Sequence, residues 1–424
     1  MPLNIGVFGL SHLGTCYSIA YATKGANVIA FDFDKNTRNE RFLGYFDPAE
    51  PDILQFLQKP NKNFRIADNI LEFEECDLLV YAKDTNSNLE IDLALGLISD
   101  EIELISTNIK NDAPLVIMSQ VPPGFTRQLE NLKRDIIYQV ETLIFGKGLN
   151  RALKPERLIF GKINQEAVLP EVVRKFAESF NCTIFEMSYE SAELTKIAIN
   201  VILSANITAA NSLAEFANLN GGNWKHIERA LRLDQRIGEY AYVSPGLGLG
   251  GTNLQRDLNF AIASAEKDGI NATFFKSLTD HSLHMQNWLV REITKIKQNG
   301  EKLDTVTILG LAYKPGTQST YGSAGYQLLD IFDSNVKIFV HDPVVRLPTE
   351  KSSRNTVQIN DPRVYLGDSD VVVLATAWPE YQGIIEEFLE LGTIVKILDP
   401  HRMVRTNSSN LGKSKLIQLG IYEE

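Results

Sequence analysis

Cysteine is scarce in this chain. Cys16, Cys76 and Cys182 are the only three in 424 residues, and no CxxC spacing joins them. So odd and scattered a set speaks against a disulfide framework and a structural zinc, and points to a reducing compartment. No metal site is expected. An excess of positive charge is also missing: 42 Lys and Arg face 53 Asp and Glu, for a formal net charge of -11. That balance argues against a nucleic-acid partner or an anionic membrane surface. The first residues run directly into a strand-like segment, Leu3 to Phe8, with no basic leader. No apolar run reads as long enough to span a bilayer. The expected location is cytoplasmic. The remaining composition, 44% hydrophobic and 22% charged, is that of a soluble globular protein. A chain this long exceeds one core and predicts two or three domains.

Glycine is concentrated where it matters. Pro245-Gly246-Leu247-Gly248-Leu249-Gly250-Gly251 places four glycines in six positions, then continues Thr252-Asn253-Leu254-Gln255-Arg256-Asp257. Such a run gives backbone freedom and close approach at an entropic cost. It reads as one wall of a ligand pocket. A flexible linker, the alternative, would mix Gly, Ser and Pro without apolar punctuation.

The N-terminal third reads as a dinucleotide-binding half. A strand, Asn4 to Phe8, leads into Gly9-Leu10-Ser11-His12-Leu13-Gly14, a helical run from Thr15 to Lys24 and a second strand ending at Asp32. An acidic residue roughly twenty positions after the glycines fits the Rossmann fingerprint. Gly9 would make the tight turn and Gly14 the close helix–strand packing, with the Leu13 region at a helix N-terminus facing a pyrophosphate. Asp32 would take the adenosine ribose hydroxyls, favouring NAD. The middle glycine is replaced by Ser11, whose side chain would lie where the pyrophosphate comes closest, and a plain β–α turn is the competing reading. His12 reads as a surface residue at the helix start. Apolar runs at 77–82, 115–119 and 158–161 predict further buried parallel strands. Residues 121–127 (VPPGFTR) predict a rigid turn into a helix, at the strand end where ligands bind in doubly wound sheets.

From Ser188 to about Asn220 there is neither Pro nor Gly before Gly221-Gly222, which predicts a single helix of roughly thirty residues. Lys196 and Asn200 share a face of it. A helical lysine is ordinarily solvated, but the apolar neighbours Leu194, Ile197, Ile199, Val201 and Ile202 make a desolvated one with lowered pKa the alternative. After Asp257 a helical run resumes from Leu258 to Lys267. Strands at 305–310, 336–343, 370–375 and 394–399 predict a second parallel α/β unit, with a polar, loosely held tail from Asn407. The fold class is thus α/β, with two Rossmann-like doubly wound domains joined by a central helical region. The expected division is 1–187, 188–298 and 299–424.

In this order the landmarks resemble the UDP-glucose/GDP-mannose dehydrogenase family across nearly the whole chain. The matching segments are residues 192–200 (AELTKIAIN), 233–238 (LDQRIG), 248–251 (GLGG) with Asp257, 310–317 (GLAYKPGT), Asp342-Pro343 and 377–381 (AWPEY). The resemblance implies NAD as cofactor, a nucleotide-sugar substrate, a homodimer and a place in polysaccharide biosynthesis. It implies oxidation of a primary alcohol to a carboxylate through a cysteine-bound intermediate. By position it assigns Lys196, Asn200, Asp257 and Glu141 to catalysis. Arg236 would reach a neighbouring subunit's substrate, and Lys314, Gly248, Gly250 and Gly251 would line the substrate. Asn253 stands where the family has its nucleophilic cysteine. Gln120 replaces a threonine beside the catalytic water, next to the cofactor, and Tyr321-Gly322-Ser323 replaces an Arg-Glu-Ser segment near the cofactor phosphates.

An amide has no nucleophilic lone pair at neutral pH, so the covalent route is closed, whereas hydride transfer needs no cysteine. The expected function is an NAD-dependent oxidoreductase on the CH–OH of a nucleotide sugar, without a thioester and limited to one two-electron step or a second oxidation through a free hydrate. The alternative is a catalytically degenerate relative that binds a nucleotide sugar or NAD as a sensor or structural partner. A hydroxyacid dehydrogenase of similar architecture is disfavoured by the Trp378-Pro379-Glu380 segment.

Overall fold

The computed structural model describes residues 2–43, 50–58, 61–86, 89–144, 146–250, 252–352, 355–391, 395–405 and 414–422. The chain divides into two units, Met1–Ile199 and Asn200–Glu424, and each is built on one sheet. The first sheet comprises β1 (Asn4–Phe8), β2 (Asn27–Phe31), β3 (Phe64–Ile66), β4 (Leu78–Tyr81), β5 (Leu115–Ile117), β6 (Ile136–Gln139), β7 (Arg157–Lys162) and β8 (Thr183–Ser188). Its order is β3-β2-β1-β4-β5-β6-β7-β8. The first six strands are parallel, in the doubly wound dinucleotide-binding order. β7 is not. It pairs antiparallel with β6 through Tyr138↔Gly161 and Gln139↔Phe160, and β8 follows it in parallel. The parallel strand expected at 158–161 is therefore reversed. The helix between β6 and β7 is only Gly148–Leu153, about 9 Å at 1.5 Å per residue, too short to return the chain along the sheet. It packs on the first helix instead, where a Cβ at Gly148 would stand 2.8 Å from Cys16 Sγ.

The second sheet comprises β9 (Thr305–Leu309), β10 (Lys337–His341), β11 (Thr356–Gln358), β12 (Val371–Leu374), β13 (Lys396–Asp399) and β14 (Lys415–Gln418). It is wholly parallel, in the order β11-β10-β9-β12-β13-β14. The central strands β9 and β12 are buried almost throughout, which is why they read as apolar runs. Part of the tail expected to be loose is the edge strand β14, and Leu419 behind it is fully buried. Asn218 clamps the turn that follows, donating to the Gln418 and Ile421 carbonyls and accepting from the Gly420 amide. The part of that tail at 407–413 lies outside the described residues.

The long helix runs Tyr189–Leu219, 31 residues. The chain after it turns at Gly221, with φ of +73°, and the Gly222 amide reaches back to the Ala217 carbonyl. By length and composition this helix would pass for a membrane span, an 18-residue stretch of it having a mean hydropathy of 1.4. That overturns the expectation that no run is long enough. Five of its polar side chains nevertheless face inward: Glu193, Lys196, Asn200, Ser204 and Asn211 are buried, while Leu194, Ile202, Phe216 and Leu219 are exposed. Two helices begin earlier than expected. The first spans His12–Thr23, after extended Ser11. Another spans Thr252–Lys267, so Asn253, Arg256 and Asp257 stand in its opening turns rather than in a loop.

Candidate active site

In the first unit the β1 turn is as tight as its glycines suggest. Gly9 has φ of +103°, and a Cβ there would meet the Ala82 carbonyl oxygen at 2.7 Å. A Cβ on Gly14 would meet the Gly9 oxygen at 1.9 Å, so helix and strand lie in backbone contact. Asp32, at the end of β2, is 2% exposed. Its carboxylate accepts from the Leu10 amide at 2.7 Å and the Asp34 amide at 2.9 Å, with the Lys83 ammonium 3.8 Å away.

Ser11 does not cap the helix it precedes. Its Oγ accepts the Asp84 amide at 2.9 Å, while the Asp84 carboxylate accepts the Leu13 amide at 3.0 Å. The two residues have exchanged partners. An acidic side chain from beyond β4 therefore caps the first turn, and nothing in the sequence pattern announced Asp84. His12, expected on the surface, is largely enclosed and pairs with Glu50 at 2.9 Å, with Cys16 Sγ 3.7 Å away. The same Glu50 oxygen accepts the Gly146 and Gly148 amides, so this cluster secures the turn before the Gly148–Leu153 helix. Burial and the Glu50, Asp84 and Glu141 carboxylates push the Cys16 thiol up, and burial does the same to Cys76 and Cys182. None is a ready thiolate.

Gln120, Glu141 and Lys196 meet in the same unit. Glu141 pairs with Lys196 at 2.6 Å, both nearly enclosed. The other contacts to Glu141 are the Gln120 amide nitrogen at 2.9 Å and the Leu143 amide at 2.9 Å. Burial alone would raise the Glu141 carboxyl, but the Lys196 charge and these donors hold it down at about 2. The buried lysine is thus not alone with Asn200, because it has a carboxylate partner. Gln120 is itself fixed by Thr85, whose amide donates to Gln120 Oε1 and whose hydroxyl donates to the Gln120 carbonyl. The VPPGFTR turn beyond it is braced from within: buried Glu193 accepts the Gly124 amide at 2.6 Å and the Thr126 amide at 2.8 Å. The turn leads into a short 3-10 segment, Thr126–Leu129.

The second unit holds the other polar group. Asn200 donates to Asp257 Oδ2 at 2.6 Å, and Arg256 Nε donates to Asp257 Oδ1 at 3.0 Å. Arg256 Nη1 reaches Asn253 Oδ1 at 3.3 Å, while its Nη2 is buried without a protein partner. Asn253 is exposed, and no cysteine occurs in this unit. The glycine run is pinned rather than slack. Gly248, at φ +79°, would place a Cβ 2.5 Å from the Ser282 carbonyl oxygen, and a Cβ on Gly250 would stand 3.0 Å from the Tyr313 ring. The Leu249 amide donates to Ser282 Oγ, the Gly246 amide to Asn211 and the Arg402 guanidinium to the Pro245 carbonyl. Gly246 itself has open space around it, and Gly251 lies outside the described residues. Lys314 sits with its ammonium 5.6 Å from the Tyr313 ring centre. Arg236 joins none of these groups: it is 89% exposed and clamped by Asp234.

Three domain models match in register with these features: an NAD binding domain over residues 3–181, a central domain over 190–281 and a UDP binding domain over 307–405, all of one family. The chain belongs to the UDP-glucose/GDP-mannose dehydrogenase family. A UDP-glucose 6-dehydrogenase of Rickettsia conorii is 25% identical over 397 residues, covering 90% of this chain and 91% of the relative. UDP-glucose 6-dehydrogenase AglM of Haloferax volcanii is 24% identical over 425 residues, covering 95% of this chain and 97% of the relative. Among solved structures, a UDP-glucose dehydrogenase from Pyrobaculum islandicum superposes with a TM-score of 0.82 at 22% identity, covering 100% and 98% of the two chains. A UDP-D-ManNAc dehydrogenase from Pyrococcus horikoshii gives 0.81 at 20% identity, covering 99% of each. The family's NAD-binding domain implies NAD as cofactor. The Gly9 turn, the Gly14 contact and Asp32 fit a dinucleotide, and NAD when bound supplies the hydride acceptor. Two features of that turn are at odds with a pyrophosphate: Ser11 in place of the middle glycine, and the Asp84 carboxylate on the Leu13 amide.

Proposed function

We propose that this member of the family oxidises the CH–OH of a nucleotide sugar with NAD in a single two-electron step, or takes a second oxidation through a free hydrate, without a covalent thioester. The observation that carries this is Asn253, an amide accepting from Arg256 at the position assigned to the nucleophile, beside an intact Asn200–Asp257 pair. In this reading Lys196, held by Glu141, and the Asn200–Asp257 pair polarise the substrate hydroxyl and take its proton. Gly248 and Gly250 let the loop backbone approach the substrate, Lys314 lies along it, and exposed Arg236 serves a neighbouring copy in a homodimer. The cytoplasm remains the proposed location. Counting NADH released per nucleotide sugar consumed tests the step number. A ratio of two together with an enzyme-bound thioester in the mass spectrum would refute it.

A second reading is supported by Asp84 and Asn253 together: a carboxylate holds the Leu13 amide, and an amide stands at the position assigned to the nucleophile, as in a relative that binds a nucleotide sugar or NAD without turning it over. A ligand-induced rise in melting temperature with no NADH formed across UDP-, GDP- and TDP-sugars would favour that reading.

A further inference from the structure

We propose that Asp84 is a resident anion in the cofactor's phosphate site, and that a dinucleotide binds only by displacing it. The inference rests on NAD being the cofactor. The first turn of a helix binds anions because its amides lack intrahelical partners and lie at the positive end of the dipole. In this chain one of those amides, Leu13, is already spent on a carboxylate at 3.0 Å. Ser11 makes no capping bond, and its hydroxyl instead accepts from the Asp84 amide at 2.9 Å. The exchange holds Asp84 from both its ends. Gln120 lies 3.5 Å from the other carboxylate oxygen and is hydrogen bonded to Glu141, so the plug is continuous with the Glu141–Lys196 pair. A pyrophosphate arriving here meets a negative charge on its own donor and must expel it to reach the amide. Asp84 is therefore a residue that sets cofactor affinity, and it lowers it.

The test is a fluorescence titration of the full-length protein with NADH, with adenosine followed by calorimetry as the ligand that lacks phosphate. Asp84→Ala should bind NADH about tenfold more tightly than wild type, the scale of a charge at a helix N-terminus. Asp84→Asn keeps an acceptor for the Leu13 amide and loses the charge and the oxygen facing Gln120, so it should fall between the two and guards against a misfolded alanine variant. Adenosine affinity should not move in either. Equal NADH affinity in all three proteins would overturn the proposal and leave NAD as cofactor intact. Adenosine tightening in step with NADH would overturn it too, since the effect would then be a general loosening. If no protein binds NADH, the proposal falls together with the cofactor reading.

Discussion

Replacing Glu141 by Gln should strand a charge inside the first unit. Glu141 and Lys196 are 2.6 Å apart, with side chains 5% and 7% exposed respectively. Removing one member of such a buried pair costs about 3–5 kcal/mol, because the remaining ion keeps its desolvation penalty and loses its partner. Glutamine preserves the volume but offers one acceptor oxygen, where Glu141 gives Oε1 to Gln120 and Oε2 to the Leu143 amide, so one of those bonds goes with the charge. At about 2–4 °C per kcal/mol for a unit of this size, the transition that unfolds it should fall by roughly 6–20 °C. Adding Lys196→Met removes both charges and should restore most of the loss, since apolar replacements of buried pairs are often neutral. The assay is thermal melting with hydrogen exchange read at the β6 and 189–199 amides, because a two-unit chain need not melt in one step. A Glu141→Gln protein within about 1 kcal/mol of wild type, or a double variant no more stable than the single, would refute the reasoning. The pH response gives an independent check. The folded pKa of Glu141 lies below its ordinary 4.5, at about 2. Its contribution is therefore fully present above 4.5 and is lost as the pH falls toward 2. Glu141→Gln should remove that part of the acid slope.

Three further outcomes are expected. Asn253→Cys should place a thiol at the start of the Thr252–Lys267 helix, and incubation with substrate and NAD should then yield a covalent adduct by mass spectrometry; no adduct with any accepted sugar would mean that more than the nucleophile differs. Gly248→Ala should destabilise the second unit by about 1–3 kcal/mol, from a left-handed backbone pressed against Ser282, whereas Gly246→Ala should change stability by less than about 0.5 kcal/mol; urea titration compares them. Arg256→Met should cost about 3–5 kcal/mol by leaving the Asp257 carboxylate, 1% exposed, without its guanidinium, while a loss below 1 kcal/mol by the same titration would make Arg256 dispensable to the pair.

Strands buried on both faces were legible, because burial on both sides demands an unbroken apolar run, and β1, β4, β9 and β12 carry one. Edge strands were not. β3, β8 and β14 expose part of their length, so polar residues are tolerated and the pattern fades. The starts of two helices were misread for a related reason: Gly14 and Asn253 look like turn residues, yet Gly14 lies inside a helix because only a residue without a Cβ fits against Gly9. The grouping of Lys196 with Glu141 needed the structure, since 55 residues separate them in the chain. Asp84 was invisible for another reason. A lone aspartate after a strand carries no signal until its carboxylate is seen on the Leu13 amide.

The glycine-turn-plus-acid pattern occurs twice, and hydrogen-bond counting separates the two copies. Gly310, with φ of +109°, repeats Gly9, and the Leu311 amide donates to Asp342 at 2.7 Å as the Leu10 amide does to Asp32. Gly325 repeats Gly14, with a Cβ that would stand 2.1 Å from the Gly310 oxygen. Asp342, however, also accepts from Ala312, Val344 and Val345 amides and from the Trp378 indole. Five donors exceed the roughly four lone-pair sites of a carboxylate, so Asp342 is saturated by its own fold and has nothing left for a ligand hydroxyl. Asp32 is met by two amides and a distant lysine, which leaves it acceptors to spare. The same local wiring thus makes a structural strut in the second unit and a group still able to receive a ribose in the first. The distinction lies in the donors that each fold brings to the carboxylate, not in the motif.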